Sequence, residues 1–233
     1  PLMITGRIHQ SFRLLLLLLA TIAQAEENPE FSGLMDYLDA SVSDGTVAGG
    51  SILLIHQGKV VLAKGFGYAD IKGKAPFEVE TPVVLASISK PLVGTVAFRL
   101  ADRDRLDLLE PISQRLREFA EPQLESGEKL PRAPSTVELL THTSGLRSHD
   151  SPGGRPWFAE WTFGESLGDV VKRYATDFAF ENPPGTKYAY SGIGTDVAAR
   201  VIEITSGGTR NEVFIKELAE PLGPDGDHQA QPD

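Results

Sequence analysis

The chain has 233 residues, 41% hydrophobic and 23% charged, with 23 Gly, 16 Pro and no Cys; this balance fits a folded protein and excludes a disordered or collagen-like one. The missing Cys excludes disulfides, Cys-ligated zinc, iron–sulfur clusters and a thiol nucleophile. With 32 acidic against 22 basic residues and a net charge of −10, the chain repels phosphate backbones, so no nucleic-acid partner is expected.

Arg7 and Arg13 precede an apolar run from Leu14 to Ala23, and Ala23-Gln24-Ala25 follows as a small-x-small cleavage signal. The run is shorter than the about 20 residues a membrane span needs. Residues 1–25 are therefore read as a signal peptide cleaved after Ala25, and the protein as periplasmic or secreted with no stable membrane span afterwards. Pro1-Leu2 ahead of Met3 places the expected start at Met3. Residues 26–223 read as one domain and 224–233 as an atypical polar tail.

Within the domain, apolar residues at 31, 34, 35, 38 and 42 predict an amphipathic helix from Phe31 to Val42, broken by Gly45. Val47–Ile55 and Lys59–Gly67 predict two strands joined as a hairpin at His56-Gln57-Gly58. The stretch around Lys72-Gly73-Lys74 reads as turns. A helix is expected from Ser87 to about Arg103, with Val93, Val96, Ala97 and Leu100 on one face, and residues 102–107 read as its solvated end. Residues 121–135 read as a surface loop and 148–157 as a loop, and Thr136–Thr141 as a short helix ended at Ser144-Gly145. Ser166 starts another helix through a capping box with Asp169. After Pro183-Pro184-Gly185, residues 194–206 and 211–219 read as helical. Together these predict an α+β fold, a partial antiparallel sheet flanked by helices, plus a helical region over about 105–190.

Ser87-Ile88-Ser89-Lys90 carries the first candidate chemistry. At i and i+3 on a helix the two side chains share a face, so the lysine can reach the hydroxyl and help remove its proton. The bland reading of the same residues is an N-cap serine followed by a solvated lysine, and the spacing alone does not choose between them. Gly164-Glu165-Ser166-Leu167-Gly168 matches the nucleophile elbow of α/β-hydrolases, but that arrangement needs a later His, and His228 in the tail is the only one. The capping reading of Ser166 already accounts for it. Five His without ligand spacing predict no metal site, and no cofactor is expected.

Several collinear segments resemble the serine β-lactamase and penicillin-recognising hydrolase family, in its class C-like branch with esterases and D-aminopeptidases. They are Lys64-Gly65-Phe66-Gly67-Tyr68-Ala69-Asp70, Ala86 to Lys90, Leu106-Asp107-Leu108, Leu139 to Leu146, and Pro183-Pro184-Gly185-Thr186-Lys187 leading to Tyr190-Ser191. The resemblance covers about residues 31–223. It implies a β-lactamase/transpeptidase-like fold and an acyl-serine mechanism acting on an ester, a D-amino peptide or a β-lactam, with a small molecule or peptidoglycan-like material as substrate. In that family Ser87 is the acyl-forming nucleophile, Lys90 assists its deprotonation, and Tyr190 is the base or its relay, with Tyr188 the fallback. Ser191 and Gly192 are then the substrate-binding positions, Gly192 standing where many members carry Asn. A missing side-chain amide there argues against strong β-lactam hydrolysis. His142 is implied to be structural. The resemblance also implies a late strand bearing Lys- or His-x-Gly, which the run 224–233 does not match, so the chain is expected to be C-terminally truncated, its C-terminal strands missing, and its turnover impaired. The alternative is a catalytically silent peptidoglycan-binding or regulatory relative.

Overall fold

Leu34, Met35, Leu38 and Val42 recur at helical spacing and form one stripe of the first helix, α1 (Ser32–Ser43), which ends as Gly45 turns left-handed at φ 80°. The computed structural model describes residues 31–148 and 164–223, divided into a unit ending at Val84 and a unit starting at Leu85. The expected signal peptide 1–25, nearly all of the expected loop 148–157 and the tail 224–233 lie outside the described residues.

In the first unit, α1 is followed by an antiparallel hairpin of β1 (Gly49–His56) and β2 (Lys59–Asp70), in register from Gly49 opposite Gly67 to His56 opposite Lys59, with an irregularity at Leu54/Ile55. The turn takes positive φ at both central residues, 49° at Gln57 and 72° at Gly58, as a two-residue hairpin loop with right-handed strand twist requires. The turn-rich stretch expected around Lys72-Gly73-Lys74 reverses the chain into a third strand, β3 (Ala75–Pro76), which pairs antiparallel with β2 in the order β1-β2-β3. Two residues, one of them Pro, leave no alternating pattern for a sequence reading to detect. Leu53, Ile55 and Val60 are exposed on this sheet.

In the second unit a 3₁₀ turn, Ala86–Ile88, runs into α2 (Ser89–Ala101), whose Val93, Val96, Ala97 and Leu100 are buried as expected. Further on come α3 (Thr136–Leu140), α4 (Leu167–Asp177) and α5 (Gly192–Ser206). Helix α5 buries Ile193, Val197, Ala198, Val201 and Ile202, and α2, α3 and α4 all pack against it, which makes it the central helix of the unit. It ends at Gly207, left-handed at φ 73°. A capping box of Thr209 and Glu212 starts α6 (Arg210–Phe214), which continues through a π-helical segment, Ile215–Ala219, into α7 (Glu220–Leu222).

Three expectations are corrected here. Residues 102–107 are not simply a solvated helix end: Leu106 is 3% exposed, and Arg103 and Arg105 turn onto the buried Glu217. The loop 121–135 is anchored rather than superficial in its second half, because Leu130, Ala133 and Ser135 are buried and Ser135 bridges Pro111. Ser166 caps α4 by accepting from Asp169 N–H at 3.1 Å, but the returning carboxylate bond comes from its own hydroxyl, which donates to Asp169 at 2.6 Å, instead of from its backbone N–H. Among the described residues no helix is long and apolar enough to cross a membrane.

Candidate active site

Ser87 lies in the 3₁₀ turn that opens onto α2, and Lys90 is the second residue of that helix. Ala86, just before Ser87, has φ 46°, a left-handed conformation that costs a Cβ-bearing residue energy and is held only by surrounding structure. The following residues enter the helix at once, so Ser87 is exposed at its start while Lys90 is half-buried. Lys90 Nζ donates a hydrogen bond to Ser87 Oγ at 3.1 Å, the i to i+3 contact that the spacing allows.

The second partner of the hydroxyl is remote in sequence. Tyr190 OH donates to Ser87 Oγ at 2.9 Å, and Lys90 Nζ sits 5.1 Å from the centre of the Tyr190 ring. In the ionised form the bond reverses: the Ser87 hydroxyl donating to the phenolate is the main influence pulling the Tyr190 phenol below its ordinary range, the hydrogen bond and positive charge of Lys90 add to it, and partial burial opposes both. The structure thus brings Ser87, Lys90 and Tyr190 together around one oxygen. Tyr188, the fallback, is 65% exposed and meets the edge of the His142 ring instead.

Tyr190 is placed by the segment that follows α3. Helix α3 begins at a capping box in which Ser135 Oγ accepts from Glu138 N–H while Glu138 accepts from Ser135 N–H, and Arg132 grips the same carboxylate at 2.7 and 2.6 Å. Beyond the helix, residues 142–145 receive the run before α5. Glu181 N–H donates to Gly145 O, Gly185 N–H to Thr143 O and Ala189 N–H to His142 O, each at 2.8 Å. Gly145 has φ 77°, and a Cβ on it would stand 1.9 Å from Asn182 O, so only glycine lets the two segments approach this closely.

The two expected substrate-binding positions differ from that expectation in one case. Ser191 is 1% exposed, and its hydroxyl donates to Arg147 O at 2.6 Å while accepting from Gly194 N–H at 3.1 Å. That makes it the N-cap of α5, with its hydroxyl committed inside the fold, rather than a substrate contact. Gly192 is the first residue of α5 and offers no side chain. A serine directly ahead of a helical run is the sequence signal for this cap. Ser166 stands at the N-cap of α4, where its hydroxyl meets Asp169, and Ser87 stands in the turn leading into α2. Among the described residues no group of three His, Asp or Glu could hold a metal ion.

Known proteins are similar to this chain over most of its length. The sequence model of a family described as Beta-lactamase matches residues 31–228. Protein flp of Staphylococcus aureus (strain COL) is 25% identical over 189 residues, covering 79% of this chain and 35% of that protein. The D-alanyl-D-alanine-carboxypeptidase/endopeptidase AmpH of Escherichia coli (strain K12) is 27% identical over 209 residues, covering 86% of this chain and 51% of that protein. The solved structure of EstCE1, a hydrolase with promiscuous acyltransferase activity, matches with a TM-score of 0.71 at 28% identity, over 81% of this chain and 50% of that one. The chain spans about a third to a half of the length of these curated relatives. Its helices and three-stranded antiparallel sheet are those of a β-lactamase/transpeptidase-like fold. With the family match running from the first helix to past the last described residue, the chain belongs to the Beta-lactamase family.

Proposed function

We propose that this chain carries the nucleophile end of an acyl-serine hydrolase, with Ser87 as nucleophile and Tyr190 and Lys90 as the groups that move its proton. The observation that supports this is the convergence of Lys90 Nζ and Tyr190 OH on Ser87 Oγ, at 3.1 and 2.9 Å. A serine hydroxyl is a weak nucleophile until a neighbour takes its proton. A phenol whose pKa is lowered yields phenolate closer to working pH, and phenolate oxygen beside Oγ accepts that proton as Oγ adds to the substrate carbonyl carbon. The resulting phenol then gives the proton to the leaving group as the carbonyl–leaving-group bond breaks, leaving an ester on Ser87. In the second half Tyr190 takes a proton from the water that adds to the ester carbonyl, the carbonyl–Oγ bond breaks, Tyr190 returns the proton to Ser87 Oγ, and the acid departs. Lys90 holds the phenolate by charge in both halves. Ser87 N–H lies at the start of the helical segment, the positive end of the helix dipole, and supplies one donor to the oxyanion.

The substrate class is an ester or a D-amino peptide, with peptidoglycan-like material included. Support comes from the peptidase and acyltransferase activities named for the two relatives above and from Gly192, which brings no amide to hold a β-lactam. The leader-like residues 1–25 support export to the periplasm or beyond the cell. Intact-mass measurement after a serine-directed fluorophosphonate tests the reading. A single adduct mapping to the Ser87 peptide, absent from Ser87→Ala, is the expected result. An adduct on the Ser166 peptide would move the nucleophile to α4, and no adduct at all would leave a catalytically silent binding relative.

A further inference from the structure

We infer that His142 is the positioning residue that holds the Tyr190 phenol on Ser87, an inference that rests on the role proposed for Tyr190. Three contacts carry it, and all come from one side chain and its own peptide. The peptide N–H groups immediately before and after Tyr190 both end on His142: Ala189 N–H donates to its carbonyl oxygen at 2.8 Å, and Ser191 N–H donates to its ring Nδ1 at 3.2 Å. Its ring also packs on the Tyr190 ring, with centroids 4.5 Å apart and planes tilted by 44°. His142 itself is in a left-handed conformation, φ 58°, which turns its carbonyl and its ring toward the same stretch of chain.

The consequence is mechanical. Tyrosine carries its hydroxyl at the far end of a rigid ring, so a small rotation of the backbone at 189–191 becomes a larger displacement of OH from Ser87 Oγ. Fixing the backbone on both sides of Tyr190, and the ring face as well, removes that freedom. Because misplacing a reacting group by about 1 Å can cost about 10²-fold in rate, a residue acting through Tyr190 sets the speed of Ser87 acylation. An ordinary helix-end histidine would explain one of these contacts, but not the pair of hydrogen bonds bracketing a single tyrosine.

The geometry also commits the ring chemically. To accept from Ser191 N–H, Nδ1 must carry no proton, so the neutral tautomer with hydrogen on Nε2 is the one present.

Two variants separate the contributions. His142→Asn keeps an acceptor, its amide oxygen, near the place of Nδ1 and tolerates positive φ. His142→Phe keeps a ring against Tyr190 and loses the acceptor. Labelling of the wild-type protein and both variants by the fluorophosphonate should show the His142→Phe rate constant lower by about 10²-fold, with the concentration for half-maximal labelling unchanged. His142→Asn should recover most of that loss. In parallel, nitrogen NMR of the wild-type protein at neutral pH should report an unprotonated Nδ1 at His142. Exchange of the Ser191 amide should speed up by about tenfold in His142→Phe, the worth of one lost hydrogen bond. A protonated Nδ1, a His142→Phe protein labelled as fast as wild type, or a His142→Asn protein as slow as His142→Phe would each overturn the assignment. If the wild-type protein takes no label at Ser87, the proposed function falls, while the NMR and exchange readouts still decide what His142 holds. Should His142→Phe fail to fold, the nitrogen NMR decides, since the tautomer is read on the wild type.

Discussion

Ser87 and Tyr190 stand 103 positions apart in the chain, and their hydroxyl oxygens are 2.9 Å apart in the fold. The 3₁₀ turn that leads into α2 presents the first and the run before α5 presents the second, so the site depends on how α2 and α5 pack as much as on either motif. Because the contact is made between side chains that are exposed or only half-buried, removing it should cost function far more than stability.

Tyr190→Phe removes the proton acceptor and leaves the ring. Acylation of Ser87 by an activated ester should fall by about 10²–10⁴-fold, the usual worth of a positioned acid–base group. Tyr188→Phe should stay within about threefold of wild type, since Tyr188 points at His142 and not at Ser87. Stopped-flow acylation rates for the two variants decide between the tyrosines; equal losses would show that the Ser87 contact carries no chemistry.

The pH–rate profile follows from the lowered phenol. Phenolate increases as pH rises through the depressed Tyr190 pKa, so acylation should rise along an alkaline limb that lies below the ordinary phenol value of about 10. Lys90→Met removes the second hydrogen bond and the charge, and should move that limb upward. The sign for folding is the same: stabilisation from Tyr190 ionisation is complete above the unfolded phenol value and is lost as pH falls through the folded one. Ultraviolet difference titration of the phenolate, with and without Lys90, reads the shift directly. A limb that stays in place in Lys90→Met would remove Lys90 from the tuning.

Gly145→Ala tests the contact between residues 142–145 and the run leading to Tyr190. The new Cβ meets Asn182 O at 1.9 Å and sits on a residue at φ 77°, so a loss of about 2–4 kcal/mol in urea unfolding is expected, from left-handed strain and displaced backbone together. Labelling at Ser87 should slow as well, because the segment that moves carries Tyr190. A variant with wild-type stability would mean that the two segments separate freely.

Glu217 gives the largest stability effect expected of a charged residue outside the site. It is 2% exposed within the π-helical segment and faces Arg103 at 2.7 Å, Arg99 at 3.6 Å and Arg105 at 3.9 Å. Glu217→Ala strands these arginines against the core, with an expected loss of roughly 2–3 kcal/mol, less than for a fully buried pair because the arginines reach solvent. Glu121→Ala, which breaks the exposed pair with Lys129 at 3.8 Å, should change stability by under about 1 kcal/mol. Equal effects in chemical denaturation would show that burial of the Glu217 carboxylate is not what holds α2 to the last helical segment.

Sequence by itself determined the features that depend on neighbours a few positions apart. The hairpin at Gln57-Gly58, the i to i+3 approach of Lys90 to Ser87, the cap of α4 at Ser166 and the buried stripe of α2 all rest on local backbone geometry and periodicity. Tertiary structure decided the rest. Tyr190 rather than Tyr188 reaches Ser87 because hydrogen bonds from residues 142–145 set the rotation of that run, and two tyrosines spaced by two carry no sign of which way each will face. Ser191 turned its hydroxyl onto Arg147 O, Leu106 went into the core, and Glu217 became buried because Arg99 of α2 and Arg103 and Arg105 just beyond it arrived to neutralise it. In each case the deciding partner lies tens of residues away or more, and an interaction of that range exists only once the core has closed around α5.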